Sequence, residues 1–306
     1  MKSLSLRLLA VTPIFTGCAQ SIPDVTGPES ISAAVSAVAP AAPDLLVMSG
    51  GRVKVMAADG SGAITVSPNT ASYPRWGPGG SGTLANPYPF FYAAGSGCGT
   101  ITRAGIYVNA LGKYAATTTA SIPTSSAACR PAPSMDGLRI AFVPTGPGFF
   151  SNVSIIRVDG TGEQVIYTPA SGSIVSNPVF SPDGGTIAFV EYIPTVSSSY
   201  SIRLTSLTGV MTILVAAGSF TGIVDLDWSL QNEILFQAGS QILGVSAAGG
   251  TPLPIVGSAQ GPSASPAGTQ VSYAGTGAVD LFTFDRGTGV SRRILKGSFG
   301  QTDWRK

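Results

Sequence analysis

The sequence predicts an all-β protein, a six-bladed β-propeller of four-stranded blades whose ring is closed by N- and C-terminal strands sharing one blade. Three observations carry this. A strand–turn–strand signature recurs along the chain. A second strand ending in a glycine turn recurs between its copies. The two ends of the array are incomplete in complementary ways. No stretch shows sustained helical periodicity.

The clearest copy of the first signature is Asn177–Val190, NPVFSPDGGTIAFV. Ser181 suits the first position of a type I turn, Pro182 pre-sets the second, and Asp183 and Gly184 fit the third and last. Thr186–Val190 is then a run of β-formers. The other copies are YPRWGPGG (Tyr73–Gly80), RPAPSMDGLRIAFV (Arg130–Val143), DLDWSLQNEILFQA (Asp225–Ala238) and GPSASPAGTQVSYA (Gly261–Ala274). A sixth, QTDWRK (Gln301–Lys306), stops after its first strand.

The second signature ends in turns at Gly62, Gly112, Gly162, Gly209, Gly250 and Gly289, where a short hairpin loop needs positive φ. A final short strand follows, as in EQVIY and SRRIL. Four strands per unit at this period define propeller blades that bury their faces against one another. Asp44–Ser49, DLLVMS, is an orphan partner strand matching IAFV and ILFQ. Paired with QTDW, it completes the sixth blade and leaves no free edge at the seam.

SPDGGTIAFV, with Pro178 and Phe180 ahead of it, resembles the WD-like repeat of the TolB-type six-bladed propeller. The resemblance covers about residues 44–306 and is strongest in the third copy and in SMDGLRIAFV. It implies the fold. Such repeats also occur in peptidase propellers and in bacterial lipoproteins, so it leaves function to the site.

Residues 1–18, MKSLSLRLLAVTPIFTGC, read as a lipoprotein signal peptide with a lipobox. Lys2 and Arg7 form a positive n-region, and Leu8–Phe15 is an apolar run too short to span a bilayer. Phe15-Thr16-Gly17-Cys18 resembles the lipobox, which makes Cys18 the lipidated residue; an ordinary secretory signal is the alternative. Residues 19–43 are Ala/Pro/Ser-rich without strand alternation and read as a flexible tether. Such a coil holds the domain on the order of 25–30 Å from the anchor. Residues 44–306 are the propeller. Ala19 follows the cysteine where an Asp would, in enteric bacteria, suggest inner-membrane retention, and by that resemblance the outer membrane is expected, facing the periplasm or the cell surface.

Charged residues make up only 10% of the chain, and Gly (39) and Pro (23) are plentiful, which suits short strands joined by turns outside the cytoplasm. The net charge of +2 argues against nucleic acid as a partner. Arg292-Arg293 reads as a solvated strand end. The chain has no histidine, which removes a Ser-His-Asp triad, a Cys-His pair and His-ligated metal. Asp59, Asp159 and Asp285 sit in turns without the ligand spacing of a Ca²⁺ loop. No cofactor and no metal is expected. Cys98 and Cys129 are an even pair in an oxidising compartment. They are expected to form a disulfide closing an irregular stretch, worth roughly 3 kcal/mol; two free buried thiols are the alternative.

Side chains of a strand alternate between faces. On the innermost strands one face holds Trp76, Phe180, Trp228 and Trp304 with prolines and small residues, a blade-packing set. The other holds Tyr73, Arg75, Arg130, Asn177, Asp225, Asp227 and Asp303, with Gln301 beside them. In a chain so poor in charge, this channel wall is the candidate ligand- or partner-binding site. The competing reading is that these groups neutralise one another. Asp225 and Asp227 on one face also form a conceivable acid–base pair. The long stretch Gly77 to Cys129 is expected to carry an insert overhanging one end of the propeller. The functional expectation is a non-enzymatic, envelope-anchored monomer that binds another envelope protein or a ligand and touches the membrane only through its lipid. The alternative is a secreted carbohydrate- or peptide-active protein working at the channel mouth.

Overall fold

The computed structural model describes residues 42–67, 70–145, 151–277 and 279–306. The expected signal peptide, Cys18 and all but the last two residues of the expected tether lie outside the described residues. The chain begins with β1 (Leu45–Ser49), β2 (Arg52–Met56) and β3 (Ile64–Thr65). A first unit follows: β4 (Ala71–Trp76), β5 (Tyr88–Ala94), β6 (Cys98–Val108) and β7 (Tyr114–Ile122). The second is β8 (Ala128–Pro133), β9 (Arg139–Pro144), β10 (Val153–Arg157) and β11 (Gln164–Tyr167). The third is β12 (Ile174–Phe180), β13 (Thr186–Tyr192), β14 (Ser201–Ser206) and β15 (Met211–Val215). The fourth is β16 (Ile223–Trp228), β17 (Glu233–Ala238), β18 (Gln241–Ser246) and β19 (Leu253–Gly257). The fifth is β20 (Ala259–Ala264), β21 (Gln270–Gly275), β22 (Val279–Asp285) and β23 (Val290–Ser298), and β24 (Thr302–Trp304) ends the array.

The architecture is all-β, a propeller arrangement of antiparallel four-stranded sheets. The last unit has the order β24-β1-β2-β3, with Leu45 opposite Trp304, Leu46 opposite Asp303 and Val47 opposite Thr302. The two ends of the array therefore meet in one sheet. One difference from the sequence reading stands out. Instead of separate four-stranded sheets throughout, the first and second units merge into one eight-stranded sheet. The cause is a short extra ladder, Cys98 opposite Cys129 and Gly99 opposite Ala128, that joins β6 to β8.

The repeated turn is built by its serine. In the third unit Gly184 N–H donates to the Ser181 carbonyl (2.9 Å) and Thr186 N–H to Ser181 Oγ (2.9 Å). Ser134, Ser229 and Ser265 make the same pair of bonds in the second, fourth and fifth units. Asn232 stands in the fourth unit where the others have glycine, and it carries φ +57°, a conformation asparagine tolerates. The outer-turn carboxylates of Asp59, Asp159 and Asp285 accept backbone N–H bonds from Ser61, Thr161 and Thr288, so turn chemistry accounts for them. The Ser61 and Thr161 hydroxyls, and then their N–H groups, hold Asp59 and Asp159 below the usual carboxylate range, and the N–H and then the hydroxyl of Thr288 do the same for Asp285.

The core lies between neighbouring units. Trp76 packs with Leu46, Val53 and Phe90, Trp228 with Val179, Ala188 and Phe236, and Trp304 with Leu45, Ala274 and Leu281. Each indole thus closes the junction with an adjoining unit. The stretch between the cysteines is not irregular, as the sequence reading had it. β6 and β7 are eleven and nine residues long and form the most extended hairpin of the molecule. Ile101 is buried on one side of β6 and Ala104 and Ile106 on the other, and the β6–β7 pairing shifts register between Arg103 and Ala104.

Candidate functional site

The innermost strands β4, β8, β12, β16, β20 and β24 surround the channel. Each of the first five carries a bulge: the pairing register shifts beside Tyr73, Arg130, Asn177, Asp225 and Gly261. These five residues have φ between 49° and 60°. For the four that are not glycine this left-handed backbone costs on the order of 1–3 kcal/mol each, strain that the surrounding sheet must overrule. The bulge breaks the strict alternation assumed from the sequence. Residues at the first and third positions of each copy therefore form two separate sets instead of one wall.

The first set joins five of the six copies. Arg130 donates through Nη1 to Asn177 Oδ1 and to Asp225 Oδ1 (3.1 Å), and its guanidinium lies over the Tyr73 ring, 4.3 Å from the centroid. Gln301 Nε2 donates to the same Asp225 oxygen at 2.6 Å. The second set is deeper. Arg75 donates to Asp303 Oδ1 (3.0 Å) and, from the first unit to the fourth, to the Leu226 carbonyl (2.8 Å). Asp227 Oδ1 accepts from Lys306 Nζ and lies 3.8 Å from Arg75 Nη1.

The remaining carboxylate oxygens fasten neighbouring units together. Asp303 Oδ2 accepts the Trp76 backbone N–H (2.6 Å), and Asp227 Oδ2 accepts that of Ala264 (2.8 Å). Ser263, at the same place in the fifth unit, accepts the Trp304 N–H through Oγ (3.0 Å). An acceptor at the third position of one copy thus ties down the fourth-position N–H of the next.

Burial opposes the charge of Asp227, but Lys306 and Arg75 outweigh it and hold this carboxyl below its ordinary range. For Asp303 burial wins over the attraction of Arg75 and Lys306 and raises it, with Asp227 adding repulsion. Burial also works against the Arg75 charge, and Asp303 and Asp227 reverse this and raise its pKa.

The structure therefore brings all seven sequence-predicted wall residues to the channel, divided between two networks. Asp225 and Asp227 answer to different partners, so the conceivable acid–base pair is not formed. Sequence reasoning missed Lys306, whose Nζ also donates to the Trp228 carbonyl at 2.8 Å. Its signal was its spacing, three residues beyond Asp303, where the strand had been taken to end. Ser263 was likewise passed over; its place in the alignment marked it.

At the end of the channel bearing the serine turns lies a cavity of about 50 Å³. Arg75, Asp227, Asp303 and Lys306 occupy one side of its floor, and Ala132 and Val179 the other. Its wall includes Trp76, Trp228, Trp304 and Phe180, with Met135, Pro182 and Leu230 at the rim. A second space of about 10 Å³, bounded by Tyr73, Arg75, Arg130, Asn177 and Gln301, lies within the channel. It holds at most a single water. Cys98 and Cys129 are bonded to each other away from these cavities, with Cα atoms 4.3 Å apart. Among the described residues no group of three or more His, Cys, Asp or Glu is placed to hold a metal ion.

Fold and site together define a closed β-propeller with an internally ion-paired channel. Among solved structures the chain is similar to a chain of the nidogen/laminin complex, with a TM-score of 0.65 and 11% identity over 86% of this chain and 98% of that one. It is also similar to TolB from Acinetobacter baumannii, with a TM-score of 0.61 and 15% identity over 86% of this chain and 66% of that one. A protein assigned as TolB from Agrobacterium tumefaciens gives 0.59 and 17%, over 85% and 90%. The TolB-like fold is thus seen in three dimensions as well as in the repeat. At these identities the likeness is one of fold alone. No protein-family model and no curated protein matches the chain.

Proposed function

We propose that the protein is a six-bladed propeller, its eight-stranded sheet counting as two blades, that serves as a non-catalytic binding module of the bacterial cell envelope. In this reading a lipid on Cys18 holds it at the outer membrane, facing the periplasm, and the partner is another envelope protein engaged at the serine-turn mouth. One observation carries the proposal: a floor of mutually paired charges beneath an apolar, aromatic wall. Because the floor charges are already matched, a ligand need not bring a counter-charge. The apolar rim favours an uncharged side chain inserted from a partner polypeptide. The carboxylates and the amine that face the cavity are engaged in ion pairs with one another and with Arg75, which favours binding over chemistry.

The test is in-cell photo-cross-linking in the source bacterium. A photoreactive residue replacing Leu230, at the rim, is expected to give one dominant adduct with an envelope protein. The same residue replacing Ser198, at the opposite end, is expected to give none, and Cys18→Ala is expected to reduce the Leu230 adduct by releasing the anchor. Equal labelling from both ends, or no adduct from Leu230, would overturn the reading.

A further inference from the structure

The junctions between neighbouring units are not fastened alike. Asp227, Ser263 and Asp303 tie the fourth unit to the fifth, the fifth to the sixth and the sixth to the first. The other three junctions lack this device. Ala132 and Val179 have no side-chain acceptor to offer the third and fourth units. Between the first and second units the bond is chemically excluded on both sides: Arg75 is a donor only, and Pro133 has no N–H.

Apolar packing compensates unevenly. Among the described residues the second–third junction holds ten buried residues in one cluster and the third–fourth junction twelve. The cluster spanning the first–second junction, Phe91, Ile101, Ile122, Ala128, Ile140, Phe142 and Ile156, holds only seven. This junction is the one crossed by the Cys98–Cys129 disulfide and by the two-pair ladder from β6 to β8. It is also crossed by the Arg130–Tyr73 contact.

We propose that the Cys98–Cys129 disulfide is a redox latch on this junction, so that reduction lets the first and second units part locally while the rest of the ring stays closed. Cys98 is partly exposed and Cys129 fully buried, so Cys98 Sγ is the sulfur an incoming thiolate reaches. A dithiol reductant attacks Cys98 Sγ, and the Cys98–Cys129 bond breaks with its electron pair leaving on Cys129, which takes up a proton. The second thiol of the reductant then displaces Cys98. The protein gains two thiols and the dithiol becomes a disulfide. With the cross-link gone, the two residue pairs, the smaller cluster and the Arg130–Tyr73 contact are left to hold the junction. β8 also carries Arg130, so its release loosens the first channel network and leaves the deeper Arg75–Asp303 network in place.

Hydrogen exchange of the full chain, oxidised and after reduction by dithiothreitol under native conditions, tests this without reference to any partner. Reduction is expected to speed exchange about tenfold or more at Cys98–Thr100 and Ala128–Arg130, with Ser263 and Thr302 unchanged. Re-oxidation is expected to restore protection. A uniform rise across the chain, or no rise at the junction, would overturn the proposal. The Cys98→Ser, Cys129→Ser double variant is expected to show the same local pattern. If that variant does not fold, the reduced natural chain gives the deciding measurement.

Discussion

Asp303 answers to two opposed demands. It must accept the Trp76 N–H to hold the sixth unit to the first, yet it is only 5% exposed, where charge is costly. Burial lifts its folded pKa above the ordinary 3.8, so the folded state holds this proton more tightly than the unfolded chain does. Stability from this group accordingly falls as pH rises from 3.8 through its folded pKa. Asp303→Asn is expected to flatten that stretch of the stability–pH curve in urea titrations. Asp227 has the opposite sign: its contribution is present above 3.8 and is lost as pH falls through its lowered folded pKa. Asp227→Ala should cost about 3 kcal/mol or more in urea midpoint analysis, because it strands Lys306 and the Ala264 N–H. The residue types of this site were legible in the sequence as a rare gathering of charge. Which charge meets which was not, because partners 79 and 228 residues apart are set only by ring closure.

At the scale of the strand, the repeat is legible because local chemistry repeats: serine, a flexible third residue and glycine make one turn wherever they fall. The bulges are not legible. Tyr73 and Arg130 in left-handed backbone contradict local preference, and only the tertiary setting imposes it. A glycine near the hairpin start shows the same dependence on context. A Cβ on Gly99 would overlap the Ala94 carbonyl oxygen. Gly99→Ala is therefore expected to disrupt β5–β6 pairing and lower the melting temperature by several degrees, on the order of 1–3 kcal/mol. In the next sheets, Tyr167 donates to Glu191 at 2.8 Å, and burial together with that carboxylate pushes the phenol up to about 12. Folding thus favours the neutral phenol, and stability falls as pH rises from 10.0 through about 12. Tyr167→Phe should remove this alkaline limb in melting curves recorded across that range.

At the scale of the whole molecule, the closure of the ring was foreseen from its incomplete ends, since an orphan strand and a truncated copy can satisfy each other only in one sheet. Removing residues 301–306 takes away β24, Lys306 and the Asp303 tie together. The shortened chain is expected to lose its cooperative unfolding transition, and calorimetry showing an unchanged melting temperature would contradict this. The merger of two units was not foreseen, because nothing local marks β6 and β8 as neighbours beyond their cysteines. A last consequence follows from Arg75, which bonds the sixth unit's Asp303 on one side and the fourth unit's Leu226 on the other. With Arg130 reaching Asp225 as well, the first and second units are each fastened to the fourth, which is not their neighbour, so the ring is braced through its middle and not only from edge to edge.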